Sequence, residues 1–536
     1  MYSIRIKNLR CLSDTGFIQI KPITVLLGQN SSGKSTFLRV LPLLKQSVES
    51  RTTGPILWNG HLVDFGVYED AHRKNAQQGI LFSFKFQSDL FYPYTRSKLV
   101  YTKEYLESIE IRIDLEIFKI NETNKPRRLS IFFADSTIEI EFGEHEYLSK
   151  FYVNNENFLK AETKYRYQQL SNSYILPIIT EYQSEIDSAS EEIESLPIYI
   201  RGRLPRFRKI PDMLIKETKR IADPRTSEKT IKKMARSFGL GSSEEMLKDI
   251  QDNQYAKNSW KTKTKNWTID TEIFKRLRNL IIANAVPLII EDCDSIIGKI
   301  SRQIRYMGPV RAIAERYYRT QDLAVDEVDY QGRNLSMFLR NLTESEMKNF
   351  ADWTFRNFGF KPSIKSSLGH ISIEIIPRDS DKPVNVADTG FGFSQLLPII
   401  TQLWLLCEAP ERRAEGNLRR QARQASQTPV VFAIEQPELH LHPRLQGILT
   451  DVLVASVKAA KDKNINFRLV IETHSEVLVN RLGHLVADKK INAEDINIVL
   501  FEPSNDNESI ITRTSKFDSD GYLIDWPLGF FEMEFE

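Results

Sequence analysis

One stretch constrains the chain more than any other. Gly28-Gln29-Asn30-Ser31-Ser32-Gly33-Lys34-Ser35-Thr36 matches the pattern G-x-x-x-x-G-K-[S/T]. It follows the unbroken apolar run Ile23 to Leu27, as a strand buried on both faces requires, and it opens a helical run from Thr36 to Gln46. Strand, glycine-bracketed turn and helix in that order predict an α/β fold with this strand near the centre of a sheet. Gly28 and Gly33 allow backbone conformations closed to other residues, so successive N–H groups can point at a phosphate. Lys34 would neutralise the β- and γ-phosphates of ATP, and the Ser35 hydroxyl would ligate Mg2+. The plainer alternative, a Gly/Ser turn before an ordinary helix, would need pattern and context to coincide by accident.

Two later segments fit that site. Val430 to Ile434 is an apolar run ending in Glu435, followed by Gln436-Pro437-Glu438-Leu439-His440-Leu441-His442-Pro443. Such a strand can deliver a carboxylate beside a phosphate loop, so Glu435 is the candidate for the magnesium shell together with Ser35. His440 and His442 stand at i, i+2 and have no cysteines nearby, which is not zinc spacing, so structural or loop-packing roles are expected for both. Further on, Phe467 to Ile471 runs into Glu472-Thr473-His474-Ser475-Glu476. His474 reads either as a satisfied core residue or, in order after the first two motifs, as a γ-phosphate sensor.

The composition is that of a folded globular protein. There are 536 residues, 41% hydrophobic and 27% charged, enough for about three domains or one large domain with an insertion. Lys and Arg number 73 against 71 Asp and Glu, so net charge names no partner, and contact with nucleic acid would have to come from local clustering. Cys11, Cys293 and Cys407 form no CxxC pair, which argues against a zinc ribbon or a disulfide framework and for a reducing compartment. With no apolar signal segment at the amino end and no membrane-length apolar run, the expected location is the cytoplasm, away from the membrane.

Three lobes are expected. Residues 1–150 would form an N-terminal ATPase lobe, with strands at Tyr2–Ile6, Phe17–Ile20, Ile23–Leu27, Ile80–Phe86 and Ile109–Phe118. Residues 151–300 turn polar and would be a mainly helical, basic insertion. Residues 301–536 bring apolar strands back at Ile371–Ile376, Val430–Ile434, Phe467–Ile471 and Ile496–Phe501, set among helices as in a parallel or mixed sheet. Residues 411–427, rich in Arg and Gln, read as an exposed loop. Lys34 and Ser394 are 360 positions apart, so the head is expected to assemble from both ends of the chain with the middle looped out.

Taken together, Gly28–Thr36, Ile434–Pro443, Glu472–Glu476 and Asp388-Thr-Gly-Phe-Gly-Phe-Ser394-Gln395 resemble the ABC/SMC-type ATPases, in the branch of OLD-like AAA ATPases. Tyr306-Met-Gly-Pro309-Val-Arg311 and the stretch from Asp518 to Phe531 resemble the same branch, in its members without a nuclease (Toprim) domain. The resemblance implies an ABC/SMC-like head and a head-to-head oligomer, in which Ser394, as part of a degenerate signature motif, completes the nucleotide site of a second subunit. Within the branch the chain is similar to the PtuA family of Septu-type anti-phage systems, including retron-associated versions. That similarity implies a separate HNH nuclease partner, PtuB-like, and in retron versions a reverse transcriptase and its RNA–DNA hybrid.

One departure matters. Where ABC-type ATPases usually carry the glutamate that orients the attacking water, this chain has Gln436. Glutamine can position water but cannot take its proton, so hydrolysis is expected to be slow. Glu438 could substitute if its loop turns inward, or it could be a surface or interface carboxylate. Basic residues cluster at 201–236, where thirteen Lys/Arg face four Asp/Glu, and again at 257–267 with Trp260 and Trp267 interleaved. Those clusters read as solvated helix faces with packed tryptophans, as a nucleic-acid contact, or as a docking surface for the nuclease or reverse transcriptase. Two functional expectations follow: a nucleotide-gated sensor and scaffold controlling a nuclease, or an SMC/Rad50-like DNA-repair or DNA-translocating motor. Gln436 and the lack of a long heptad pattern in 150–300 favour the first.

Overall fold

The computed structural model describes residues 2–88, 109–120, 123–143, 145–159, 163–168, 174–182, 207–380, 382–408, 428–504 and 509–526. The 411–427 stretch, Arg201, Arg203 and Arg206, and the residues after Trp526 lie outside the described residues. The chain divides into two compact units. One comprises residues 1–5, 50–57 and 75–298, and the other comprises 6–49, 58–74 and 299–536. Residues 1–150 were expected to form one lobe, yet they are shared between the units. The phosphate loop belongs with the C-terminal half, and the strands from Ile80 onward belong elsewhere.

The second unit is built on a mixed sheet. Its strands are β1 (Ile23–Gly28), β2 (Ile304–Met307), β3 (Val430–Glu435), β4 (Phe467–Glu472), β5 (Ile496–Pro503) and β6 (Ile510–Phe517). The order across the sheet is β2-β3-β4-β1-β5-β6. The first five are mutually parallel and β6 runs antiparallel to β5. All six residues of β1 and all six of β3 are buried, which is why both read as unbroken apolar runs.

Helices cover both faces. The helical segments α1 (Lys34–Leu38) and α2 (Val40–Glu49) follow the phosphate loop, and α1 packs on β1, β3 and β4. On the opposite face lie α3 (Phe391–Cys407), α4 (Pro443–Asp462) and α5 (Glu476–Ala487). They bury one core with Ile23, Val25 and Leu27 of β1, Phe432 and Ile434 of β3, Leu469 and Ile471 of β4, and Ile498 and Leu500 of β5. The segment expected as a strand at Ile371–Ile376 does form one, His370–Pro377. It pairs antiparallel with Phe360–Ser367 in a separate four-stranded sheet and does not join the parallel one.

In the other unit, Ile80–Ser88, Ile109–Ile120, Thr123–Phe133, Ser136–Phe142 and Leu148–Val153 form an antiparallel meander in sequence order. Among the described residues from Lys209 onward the unit is helical, up to the 31-residue helix Glu272–Arg302. The carboxylate of Asp294 on that helix accepts N–H bonds from Tyr174, Ile175 and Leu176, each at 2.7 Å. Arg278 reaches the Asp135 carboxylate at 2.9 Å and the Ser136 hydroxyl at 2.8 Å. Within the span expected as a mainly helical insertion from 151, the described residues include strands at Tyr165–Gln168 and Ile178–Glu181 and helices from Lys209 onward.

Candidate nucleotide site

Parallel strands end together, so in the second unit the C-terminal ends of β1, β3 and β4 converge with the start of α1. Two glycines make the turn possible. A side chain at Gly28 would place its Cβ 2.5 Å from the Phe501 carbonyl oxygen, and Gly33, at φ 90°, would place one 2.6 Å from Leu12 Cδ2. Gln29, Asn30 and Ser31 are exposed at the tip, while Ser32 and Thr36 are buried behind it. The Lys34 ammonium folds back over the loop and donates to the carbonyls of Gly28 (2.9 Å) and Gln29 (2.7 Å). Burial lowers its pKa, opposed by the charge of Glu472.

The register of β3 and β4 sets Glu435 directly beside Glu472. Both side chains are buried, and their partners differ. Glu435 takes a bidentate fork from Arg39, Nε to Oε1 at 2.7 Å and Nη2 to Oε2 at 2.8 Å, and a third bond from the Tyr306 hydroxyl at 2.7 Å. That bonding raises the Arg39 pKa, while burial and the same carboxylate raise that of Tyr306. Glu472 Oε1 accepts from the Ser35 hydroxyl at 2.6 Å. Its Oε2 is buried with no hydrogen-bond partner among the described residues. Burial raises its pKa to about 7, against the Ser35 bond and with the help of the neighbouring Glu435 charge.

The loop after β3 is tightly held. Gln436 sits at φ 43°, an uncommon conformation for a residue other than glycine, and its N–H donates to the Glu472 carbonyl at 2.8 Å. Glu438 turns inward. Its Oε1 accepts the His474 backbone N–H at 2.8 Å, and its Oε2 is buried without a partner among the described residues; burial raises its pKa. The His474 ring is held below the usual histidine value by burial and by the charge of Lys34, so it is neutral at pH 7. His442 caps α4, accepting from the Arg444 N–H at 3.3 Å, and the His440 ring lies 5.9 Å from that of Phe391.

Arg311 ties the signature-like segment to this loop. Its side chain is 2% exposed, and its Nη2 donates to the Glu435 carbonyl at 2.8 Å. Its backbone exchanges two bonds with the Gln395 amide, at 3.3 and 3.2 Å. Burial lowers its pKa to about 10, partly offset by Glu438 and Glu435. Ser394 is 6% exposed and faces a cavity of about 450 Å3 shared with Val386, Leu397 and Pro398, whereas Phe391 at the start of α3 is 55% exposed.

The structure thus brings Gly28 to Thr36, Glu435, Gln436, Glu438 and His474 to one edge of one sheet, whereas Ser394 lines the cavity beside Val386 and only its neighbour Gln395 is linked to the site, through Arg311. Sequence reasoning assigned no role to Arg39, Tyr306, Arg311 or Glu472. The signal for Glu472 was present, because Phe467–Glu472, apolar but for Arg468, ends in a carboxylate as the strand that singled out Glu435 does.

The donors suit a magnesium nucleotide. Among the described residues no group of three His, Cys, Asp or Glu could hold a metal by itself. Mg2+ bound to nucleotide needs only one or two carboxylates and a hydroxyl, its other ligands being phosphate and water. The unpartnered, buried Glu472 Oε2 and Ser32 hydroxyl are groups such a ligand would satisfy.

Polyphosphate is what this edge of the sheet can accept, which puts the chain in the class of phosphate-loop nucleotide-binding proteins. It belongs to the AAA ATPase domain family, which it matches over residues 1–479. Endonuclease GajA of Bacillus cereus (strain HuB5-5) is 25% identical over 177 residues, 32% of this chain and 21% of the relative, so the chain covers about a fifth of that protein's length. Among solved structures, the Smc head domain of Pyrococcus furiosus with an extended coiled coil, bound to the C-terminal domain of ScpA, aligns over 96% of each chain at 10% identity and TM-score 0.33. The SMC head domain from Thermotoga maritima aligns over 95% of this chain and 97% of that one, at 9% identity and TM-score 0.31. No helix among the described residues is long and apolar enough to cross a membrane.

Proposed function

We propose that the chain is an ABC/SMC-type ATPase that binds ATP with Mg2+, hydrolyses it slowly, and acts as the nucleotide-dependent sensor and scaffold of an anti-phage complex, controlling an associated HNH nuclease. The observation that carries the nucleotide part is the convergence of Lys34, Ser35, Glu435, Glu472 and His474, drawn from both ends of the chain, on one sheet edge. Lys34 would exchange two carbonyl partners for phosphate oxygens, with the loop N–H groups around it. Ser35 and one carboxylate from the ends of β3 and β4 would be the protein ligands of Mg2+, which when bound neutralises charge on the β- and γ-phosphates. Neutral His474 can donate a hydrogen bond to the γ-phosphate. Gln436 can orient a water, and Glu438, buried two residues on and without the guanidinium fork that engages Glu435, is the carboxylate that can receive its proton.

The regulatory part rests on the similarity to PtuA-type ATPases and on the partial match to an endonuclease. It entails a head-to-head oligomer in which the exposed start of α3, beside Ser394, meets the nucleotide of a second copy. The basic helices of the first unit offer a surface for the nuclease, or for a reverse transcriptase with its RNA–DNA hybrid. Lys34→Ala tests the core of the proposal. It should weaken ATP binding about 10- to 100-fold and abolish both ATP-dependent oligomerisation in light scattering and phage defence in cells. Wild-type binding or intact defence in that variant would overturn the proposal, and strong DNA stimulation of wild-type hydrolysis would favour the DNA-motor reading.

A further inference from the structure

The position after an apolar Walker-type strand is where a magnesium carboxylate is ordinarily sought, and in this chain that is Glu435. The geometry points to a different residue. We propose that Glu472, at the end of β4, is the carboxylate that holds Mg2+ beside Ser35, and that Glu435 is a structural anion locked by Arg39 and Tyr306. This rests on the reading of the chain as an ATP-binding protein and deepens it.

Three observations carry it. First, the Ser35 hydroxyl is 2.6 Å from Glu472 Oε1, and no bond from Ser35 to Glu435 is present. Two oxygens bound side by side to one octahedral Mg2+ at about 2.1 Å stand roughly 2.9 Å apart, so this pair needs only a small separation to become two ligands of one cation. Second, Glu435 already accepts three hydrogen bonds, two of them from the Arg39 fork at 2.7 and 2.8 Å. A cation there would have to displace or face a guanidinium held in a two-bond, charge-assisted fork. Third, Glu472 is 3% exposed, and its Oε2 has no hydrogen-bond partner among the described residues, while the ammonium of Lys34 is committed to two carbonyls. Such a buried oxygen is open to a proton in the free protein and to a cation when one is bound.

Glu472 also stands next to Glu435 in the β3–β4 register. Arg39 neutralises the first of the pair, which leaves the second free to be neutralised by metal. Arg39 thus becomes a positioning residue: by engaging Glu435 it directs Mg2+ to the strand that adjoins β1 directly.

The experiment compares Glu472→Gln with Glu435→Gln in the full chain. A fluorescent ATP analogue is titrated with Mg2+ and with EDTA, and Mn2+ binding is followed by electron paramagnetic resonance in the presence of a non-hydrolysable ATP analogue. Glu472→Gln is expected to lose Mg2+ enhancement of nucleotide binding by about tenfold or more and to release Mn2+, while keeping metal-independent binding. Glu435→Gln is expected to keep both metal responses. Loss in Glu435→Gln with retention in Glu472→Gln overturns the proposal, and so does equal loss in both. Should Glu472→Gln fail to fold, Glu472→Asp, which keeps the charge but withdraws it by one methylene, carries the same comparison. A wild-type chain that binds no nucleotide at all defeats the proposed function instead, so the two failures are distinguishable.

Discussion

At the scale of single residues, Gln436 and Glu472 make the sharpest predictions. Gln436→Glu restores a group able to take a proton from water, and phosphate release is expected to rise by about 10²-fold or more, in the lower part of the usual general-base range. An unchanged rate would move the base function to Glu438. Glu472 predicts a pH effect in protein free of nucleotide and metal. Its folded pKa of about 7 lies above the ordinary 4.5, so between those values the native state holds a proton that the unfolded chain has released. Its contribution to stability is therefore greatest below pH 4.5 and falls as pH rises through 7. Melting temperatures measured from pH 4.5 to 8 should show this decline in the wild type and less of it in Glu472→Gln. The identities of the loop residues were legible because the spacing of Gly28, Gly33 and Lys34 has few other uses. Which of two carboxylates faces Ser35 was not legible, since that depends on strand order, and nothing in the sequence says that β4 lies between β1 and β3.

At the scale of elements, apolar runs announced the buried strands and hid the half-buried ones. β1, β3, β4 and β5 stood out because both their faces are covered. Ile109–Phe118 was read from its alternation, but Thr123–Phe133 and Leu148–Val153, whose apolar residues are broken up by Lys125, Arg127, Arg128 and Lys150 without a regular period, were missed. For the tryptophans among the lysines of 257–267, packing and base stacking were both left open. Trp260 is packed: it is buried between Phe238 and Trp267, with its indole N–H donated to the Ile250 carbonyl at 2.7 Å, while Lys261, Lys263 and Lys265 are exposed. Trp260→Ala should accordingly cost about 3–5 kcal/mol in denaturant unfolding, whereas Lys265→Ala should change stability by less than about 0.5 kcal/mol. Arg311 joins two elements that lie far apart in sequence. Arg311→Ala leaves the Glu435 carbonyl without its donor and opens a cavity, so a loss of about 3 kcal/mol is expected in the same measurement.

At the scale of the molecule, the second unit is sewn from three separated pieces of chain, and its site joins residues as far apart as Ser35 and Glu472. Ligand bound there should stabilise that unit first. At a nucleotide concentration of 100 times Kd the linkage amounts to about 2.7 kcal/mol, and hydrogen exchange should slow at residues 28–36, 435–438 and 472–476 before it slows in the meander of the other unit. That the two ends would meet was legible from the motifs. That residues 6–49 and 58–74 part company with the strands of 80–153 was not, because division into units is decided by packing between segments, which one-dimensional patterning does not record.

The placement of β1 has a consequence for biosynthesis. The strand that leads into the phosphate loop comes from the first thirty residues, yet both strands that flank it, β4 and β5, are translated after residue 466. A ribosome must translate past residue 466 before that strand has these neighbours to bond. A chain released before that point by a stalled ribosome would carry the glycine-rich turn without the two strands that flank β1.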